Sequence, residues 1–270
     1  MMKPRYLPET DRLSVLVATI LLAYALARFI EIPTREFEFQ LPGFYLAFQI
    51  NIRTVISLLV AGLTTAGADW LLREHPALKK KSTFEHWLLP ALTAWIIGVP
   101  LFQLPLGPLW WAGFAFGGAS LVLVLVAEYI SVDGEDIRQP IAAAGLTALS
   151  FALFLTLAIA MRFAGLRLSF VLPALALVIF LVSVRTLQLR LKGRLLLVQS
   201  GVIALVCAQI TAALHYWPIS PAAYGLALLG PAYALTSFTG SLAEEDSLPQ
   251  AILEPALVLI IVWGASVWMS

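Results

Sequence analysis

Charged side chains are scarce in this chain. Of its 270 residues only 12% are charged and 60% are hydrophobic, about half the charge fraction of an ordinary soluble domain. A water-soluble fold of this length has too little interior for so much apolar surface, so lipid must solvate most of it. The net charge of +1 supplies no long-range attraction to a polyanion, which excludes nucleic acid as a partner. Cysteine is nearly absent too. Cys207 stands alone inside an apolar run, so no internal disulfide can form and it reads as a small buried hydrophobe. The three histidines, His75, His86 and His215, share no spacing that would make them ligands on one helix, so neither a metal nor another cofactor is expected. There is no glycine-rich phosphate loop and no nucleophile elbow. These absences lean against an enzyme.

Long apolar runs are what the chain has. A span needs about 20 predominantly apolar residues, and nine segments qualify: 13–30, 52–72, 87–104, 109–130, 141–161, 169–187, 195–214, 222–239 and 251–269. The third and eighth are interrupted by proline or a Gly-Pro pair, which a membrane helix tolerates where neighbours satisfy the freed carbonyls. Lys3, Arg5 and Arg12 ahead of the first run, with a small-x-small "ALA" at 25–27, imitate a signal peptide. The segment is expected to be retained as the first span. The fold class expected is therefore all-α: a polytopic membrane protein of about nine transmembrane helices, forming a single integral membrane domain over 1–270.

Lysine and arginine collect on the cytoplasmic side of membrane proteins. With the N-terminus inside, the cytoplasmic segments and flanks hold twelve (Lys3, Arg5, Arg12, Arg73, Lys79, Lys80, Lys81, Arg138, Arg185, Arg190, Lys192 and Arg194). The outside holds five, Arg28, Arg35, Arg53, Arg162 and Arg167. This predicts a cell-membrane protein with a cytoplasmic N-terminus and an extracytoplasmic C-terminus. In the longest outer connection, "EFEFQLPGFYLAFQIN", Phe37, Phe39 and Leu41 alternate with polar residues before Pro42-Gly43. Phe44, Leu46, Phe48 and Ile50 repeat that period of two beyond the turn. That pattern predicts a small extracytoplasmic β-hairpin within 31–51. The competing reading is a helix continuing from Phe44 into the second span.

A repeat is also legible. "FQLPLGPLWWAG" and "HYWPISPAAYG" place Pro105 and Pro108 against Pro218 and Pro221 at an offset of 113, with Trp111 against Tyr224. The same offset pairs Lys79 with Lys192 and Lys81 with Arg194. Arg28-Phe29 matches Arg162-Phe163 once the inserted hairpin is removed. The expectation is a parallel four-plus-four repeat with halves 1–130 and 135–240, related by an axis along the membrane normal, plus an additional helix at 251–269. Pro-x-x-Pro cannot donate backbone hydrogen bonds, so each copy should end one helix and start the next.

Two short motifs resemble known families without completing them. "DGEDIR" at 133–138 resembles the opening of the CDP-alcohol phosphotransferase motif, but the helix beginning at Ile141 carries no Asp or Glu to build its metal cage. "AEEDSLPQ" is similar to the paired glutamates of CAAX-type intramembrane proteases, but the arginine and membrane histidines of that family do not follow.

Ionisable residues within spans are the remaining functional candidates. Asp69, Glu128, Arg185 and Glu254 each lie near a predicted cytoplasmic helix end. They could form a cytoplasm-facing polar binding cluster, a structural ion-pair network, or simply be solvated. His215 reads as an interfacial residue or as part of an outer pocket near Arg28, Arg53 or Arg162. The first function expected is a non-catalytic membrane scaffold, accessory subunit or assembly factor. Its partners would be the lipid bilayer and other membrane subunits. The alternative is a small-molecule or lipid carrier, with an enzyme on lipid-linked substrates third. A polar cavity reaching mid-membrane would favour the carrier.

Overall fold

The computed structural model describes residues 7–29, 35–41, 44–50, 52–78, 83–191, 193–245 and 247–270. Lys3, Arg5, Lys79, Lys80, Lys81, Lys192, Asp246 and the Pro42-Gly43 turn lie outside them. Among the described residues, nine helices are long and apolar enough to cross a membrane, the architecture of a multi-pass membrane protein. In chain order they are α1 (Thr10–Phe29), α2 (Ile52–Leu72), α3 (Leu88–Gln103), α4 (Pro108–Ser131), α5 (Gln139–Phe163), α6 (Leu168–Arg190), α7 (Leu197–His215), α8 (Pro221–Ala243) and α9 (Leu248–Trp268). Between α1 and α2 the backbone of β1 (Arg35–Leu41) runs antiparallel to β2 (Phe44–Ile50), with Leu41 opposite Phe44 and Phe37 opposite Phe48. The helix that follows begins at Ile52.

The chain divides into two compact units, and the boundary falls inside α4 between Leu125 and Val126. In the first unit, small residues and side-chain hydrogen bonds bring helices together, since lipid offers no hydrophobic drive for helices to associate. Tyr24 on α1 donates its hydroxyl to the Ala94 carbonyl on α3. Gly118 leaves room for Leu21 and Gly117 for Ile97, so a Cβ at Gly118 would come within 2.9 Å of Leu21 Cδ1. Trp110 closes the corner between α3 and α4 by donating Nε1–H to the Leu101 carbonyl at 3.1 Å. Pro108 starts α4 as its first residue, where the missing N–H costs nothing.

The second unit holds the end of α4 and α5 through α9. Pro221 starts α8 just as Pro108 starts α4, here with Ser220 as N-cap accepting from the Ala223 N–H. α9 lies along α8 and is fastened by side chain to backbone. Ser266 Oγ donates to the Ala223 carbonyl at 2.8 Å, and Trp263 Nε1 to the Ala227 carbonyl at 3.1 Å. Between α6 and α8, Ser183 and Thr236 hydroxyls meet at 3.1 Å. In the loop before α5, Arg138 grips Asp136 (Nη2 to Oδ2, 2.7 Å), and that hydrogen bond raises the guanidinium pKa above its already high ordinary value.

Candidate functional site

A cavity in the second unit follows from a run of small residues. Ala143, Ala144, Thr147, Ala148 and Phe151 lie on one face of α5, because residues three and four apart superimpose on a helix. Alanines cannot fill the space between α5 and the helices it faces. A cavity of about 590 Å³ results, lined on its other sides by α6, α8 and α9. Its lining runs from Arg190, the last residue of α6, to Phe151 and Tyr233 midway along α5 and α8. Those two rings meet edge to face with centroids 5.2 Å apart.

One wall of this cavity is apolar and the other is not. On the polar side Glu254 of α9 accepts from Tyr233 Oη at 2.6 Å and from Ser237 Oγ at 3.1 Å. Tyr233 and Ser237 are one turn apart on α8, so both hydroxyls reach the same carboxylate. Among the described residues no cation is paired with Glu254. Arg190 is engaged elsewhere: it donates to Glu244 Oε2 at 2.6 Å, to Ser241 Oγ at 2.9 Å and to the Ser237 carbonyl at 3.1 Å. Thr186 contributes a buried hydroxyl with no hydrogen-bond partner.

The four ionisable candidates occupy three different settings. Glu128 and Arg185 are brought together. Arg185 donates Nε–H to Glu128 Oε1 at 3.1 Å and Nη2–H to Oε2, and it reaches Gln188 Oε1 at 3.1 Å through Nη1. Both are almost fully buried, at 1% and 2% exposure, which makes this pair a packed structural contact. Glu254 lies in the cavity just described. Asp69, in the first unit, accepts from Arg73 at 2.7 Å and from the Thr83 hydroxyl. The same end of that unit holds Arg12 against Glu74, with its guanidinium 4.5 Å from the centre of the Trp70 ring.

A second, smaller cavity of about 310 Å³ lies where α5 and α7 end and α6 and α8 begin. His215 lines it together with Arg162, one of the neighbours the sequence allows for it. Arg162 donates to the carbonyls of His215 and Trp217, the latter at 2.6 Å, and its guanidinium stands 5.3 Å from the centre of the Tyr224 ring. Among the described residues no group of three or more His, Cys, Asp and Glu could hold a metal ion.

Sequence reasoning singles out Glu254 but none of its neighbours. The signal was present in the Tyr233, Ser237 pair at helical spacing and in the alanine face of α5. Hydropathy averages pass over both, because one is a polar stripe on an otherwise apolar helix and the other is apolar throughout.

Residues 32–269 match the model of a family described as "Protein of unknown function (DUF5656)". No curated protein and no solved structure matches.

Proposed function

The chain belongs to the DUF5656 family, and we propose that this member is a membrane carrier or lipid-handling protein whose ligand sits among α5, α6, α8 and α9. The observation that carries the reading is the cavity of about 590 Å³ that extends from the end of α6 to mid-helix. A scaffold needs packed helices and gains nothing from such a space. An apolar wall facing Tyr233, Ser237 and Glu254 fits an amphiphile, with its chain against the alanines and its head at the carboxylate. Glu254 has two hydroxyl donors and, among the described residues, no paired cation. A carboxylate inside a span is costly unless its charge is balanced, so the head group that fits is a protonated amine or another cation.

On this reading the N-terminus is cytoplasmic, from the excess of Lys and Arg on that side, and the ligand enters from the cytoplasmic leaflet. The β1–β2 hairpin then sits outside the bilayer. The four-plus-four repeat is part of the same proposal. It draws support from Pro108 and Pro221 opening α4 and α8, and from a unit boundary at Leu125 and Val126, close to that between the halves 1–130 and 135–240.

Dodecylammonium is a suitable probe, titrated into the protein in phosphatidylcholine nanodiscs. Saturable binding to the wild type is expected, with Glu254→Gln binding about tenfold more weakly, the size of a lost charge-assisted hydrogen bond. The glutamine keeps the volume and can still accept from Tyr233. Equal, non-saturating uptake by both proteins would overturn the reading and return the scaffold to first place.

A further inference from the structure

We propose that the smaller cavity of the second unit is an anion site, built for a phosphate group and separate from the amphiphile cavity. Its lining places Arg162, His215, Trp217 and Tyr224 around about 310 Å³ of space, with Val171 and Leu166 completing the wall. Among the described residues no acid is paired with Arg162. The sequence contains neither Asp nor Glu between Asp136 and Glu244, nor after Glu254, so α5, α6, α7 and α8 bring only cations to this end of the unit. Arg167 stands in the same α5–α6 corner, exposed, as a second positive charge. Two helices also begin here. Val171 lies in the first turn of α6 and Tyr224 in the first turn of α8, and the partial positive charge of helix N-termini favours an anion.

Capping would account for part of this. Arg162 donates to the His215 and Trp217 carbonyls at the end of α7, as a basic residue does at a helix C-terminus. Capping does not account for two other groups on the same cavity. Tyr224 is fully buried and His215 is 9% exposed, yet Tyr224 Oη and His215 Nδ1 have no hydrogen-bond partner. Buried polar atoms are almost always paired. Both can donate a proton, Tyr224 through its hydroxyl and His215 through the Nδ1–H tautomer. A tetrahedral oxyanion accepting from them beside the guanidinium would satisfy all three. Tyr216 and Trp217 are strongly exposed at the rim, as aromatic residues are at headgroup level. A lipid head and a free phosphate present the same chemistry to this site, and the two sources are separable by experiment.

The protein in dodecyl maltoside, which carries no phosphate, is titrated with soluble dihexanoylphosphatidylglycerol in one arm and inorganic phosphate in the other. The unfolding midpoint is the readout. A saturable rise is expected. If only the short-chain lipid produces it, the site holds a lipid headgroup; if inorganic phosphate produces the same rise, it holds a free anion. Tyr224→Phe removes one oxygen without altering the packing, and should raise the ligand concentration for half-effect about tenfold while leaving the ligand-free midpoint unchanged or higher. Arg162→Gln should abolish the response. A wild type whose midpoint responds to neither ligand, or a Tyr224→Phe variant that responds as the wild type does, overturns the proposal.

Discussion

At the scale of single residues, the placement of charge was more legible than its pairing. Glu128, Arg185 and Glu254 stand out because acids and bases are rare inside apolar runs. Their partners do not, since Arg185 reaches Glu128 across 57 residues and Glu254 reaches Tyr233 across 21. Only helix packing sets those distances. The pairing decides what a substitution does. Glu128→Leu leaves the Arg185 guanidinium buried and uncompensated, which costs about 3–5 kcal/mol. Arg185→Met leaves the converse defect. The double variant removes both charges and keeps apolar volume, and such replacements are often neutral or stabilising. We expect each single variant to unfold at much lower temperature in detergent and the double variant to recover most of the loss. Additive losses would mean that the two side chains are not coupled.

At the scale of elements, the apolar runs located every helix but not every end. The first run begins at Leu13, whereas α1 begins at Thr10. The additional turn carries charge that is already matched, since Arg12 bridges to Glu9 at 3.0 Å and to Glu74. The eighth run ends at Thr239, but α8 continues to Ala243. That last stretch, Gly-Ser-Leu-Ala, is only weakly apolar and yet packed at its start: Gly240 lies against the Arg190 side chain, so a Cβ there would come within 2.8 Å of Nη1. Hydropathy undervalues a turn whose role is to receive an arginine. Helix contacts made through glycine can be tested directly. A Cβ at Gly225 of α8 would lie 2.6 Å from Ile159 Cγ1 and 2.9 Å from Leu155 Cδ1 of α5, whereas one at Gly201 of α7 would meet nothing within 4 Å. Gly225→Leu should therefore destabilise by about 1–3 kcal/mol through overpacking, and Gly201→Leu should stay within about 0.5 kcal/mol of the wild type. Unfolding of the two variants in the same detergent gives the comparison. Equal effects would place α5 and α8 further apart than the contact at Gly225 requires.

At the scale of the whole molecule, orientation in the membrane is the property on which both proposed sites depend. The lining of the proposed amphiphile cavity reaches the end bearing Arg190 and the proposed anion site lies at the end bearing Arg162, so reversing the chain exchanges the leaflets they face. The proposed orientation, with twelve lysines and arginines inside against five outside, would put the first of these ends in the cytoplasm, because basic residues resist translocation and acids count for little. On that orientation nine spans would carry Ser270 to the outside. Cys207 is buried at 2% exposure, so an introduced cysteine reports without strong competition from the native thiol. In intact cells an impermeant maleimide should leave Ser82→Cys unlabelled until the membrane is opened, and should label Ser270→Cys at once. The opposite pattern would invert the chain and move the proposed anion site to the cytoplasmic leaflet. Protection at both positions would mean an even number of crossings, and α9 is then the helix to remove from the count, since it is the least buried of the nine. Its carbonyl-directed contacts argue the other way: Trp263, Ser266 and Ser220 tie the start of α8 to the end of α9 through three hydrogen bonds, and Tyr233 and Ser237 reach Glu254 further along the pair. A helix held antiparallel to a spanning neighbour at both of these levels should cross with it, and the maleimide pattern is expected to be the asymmetric one.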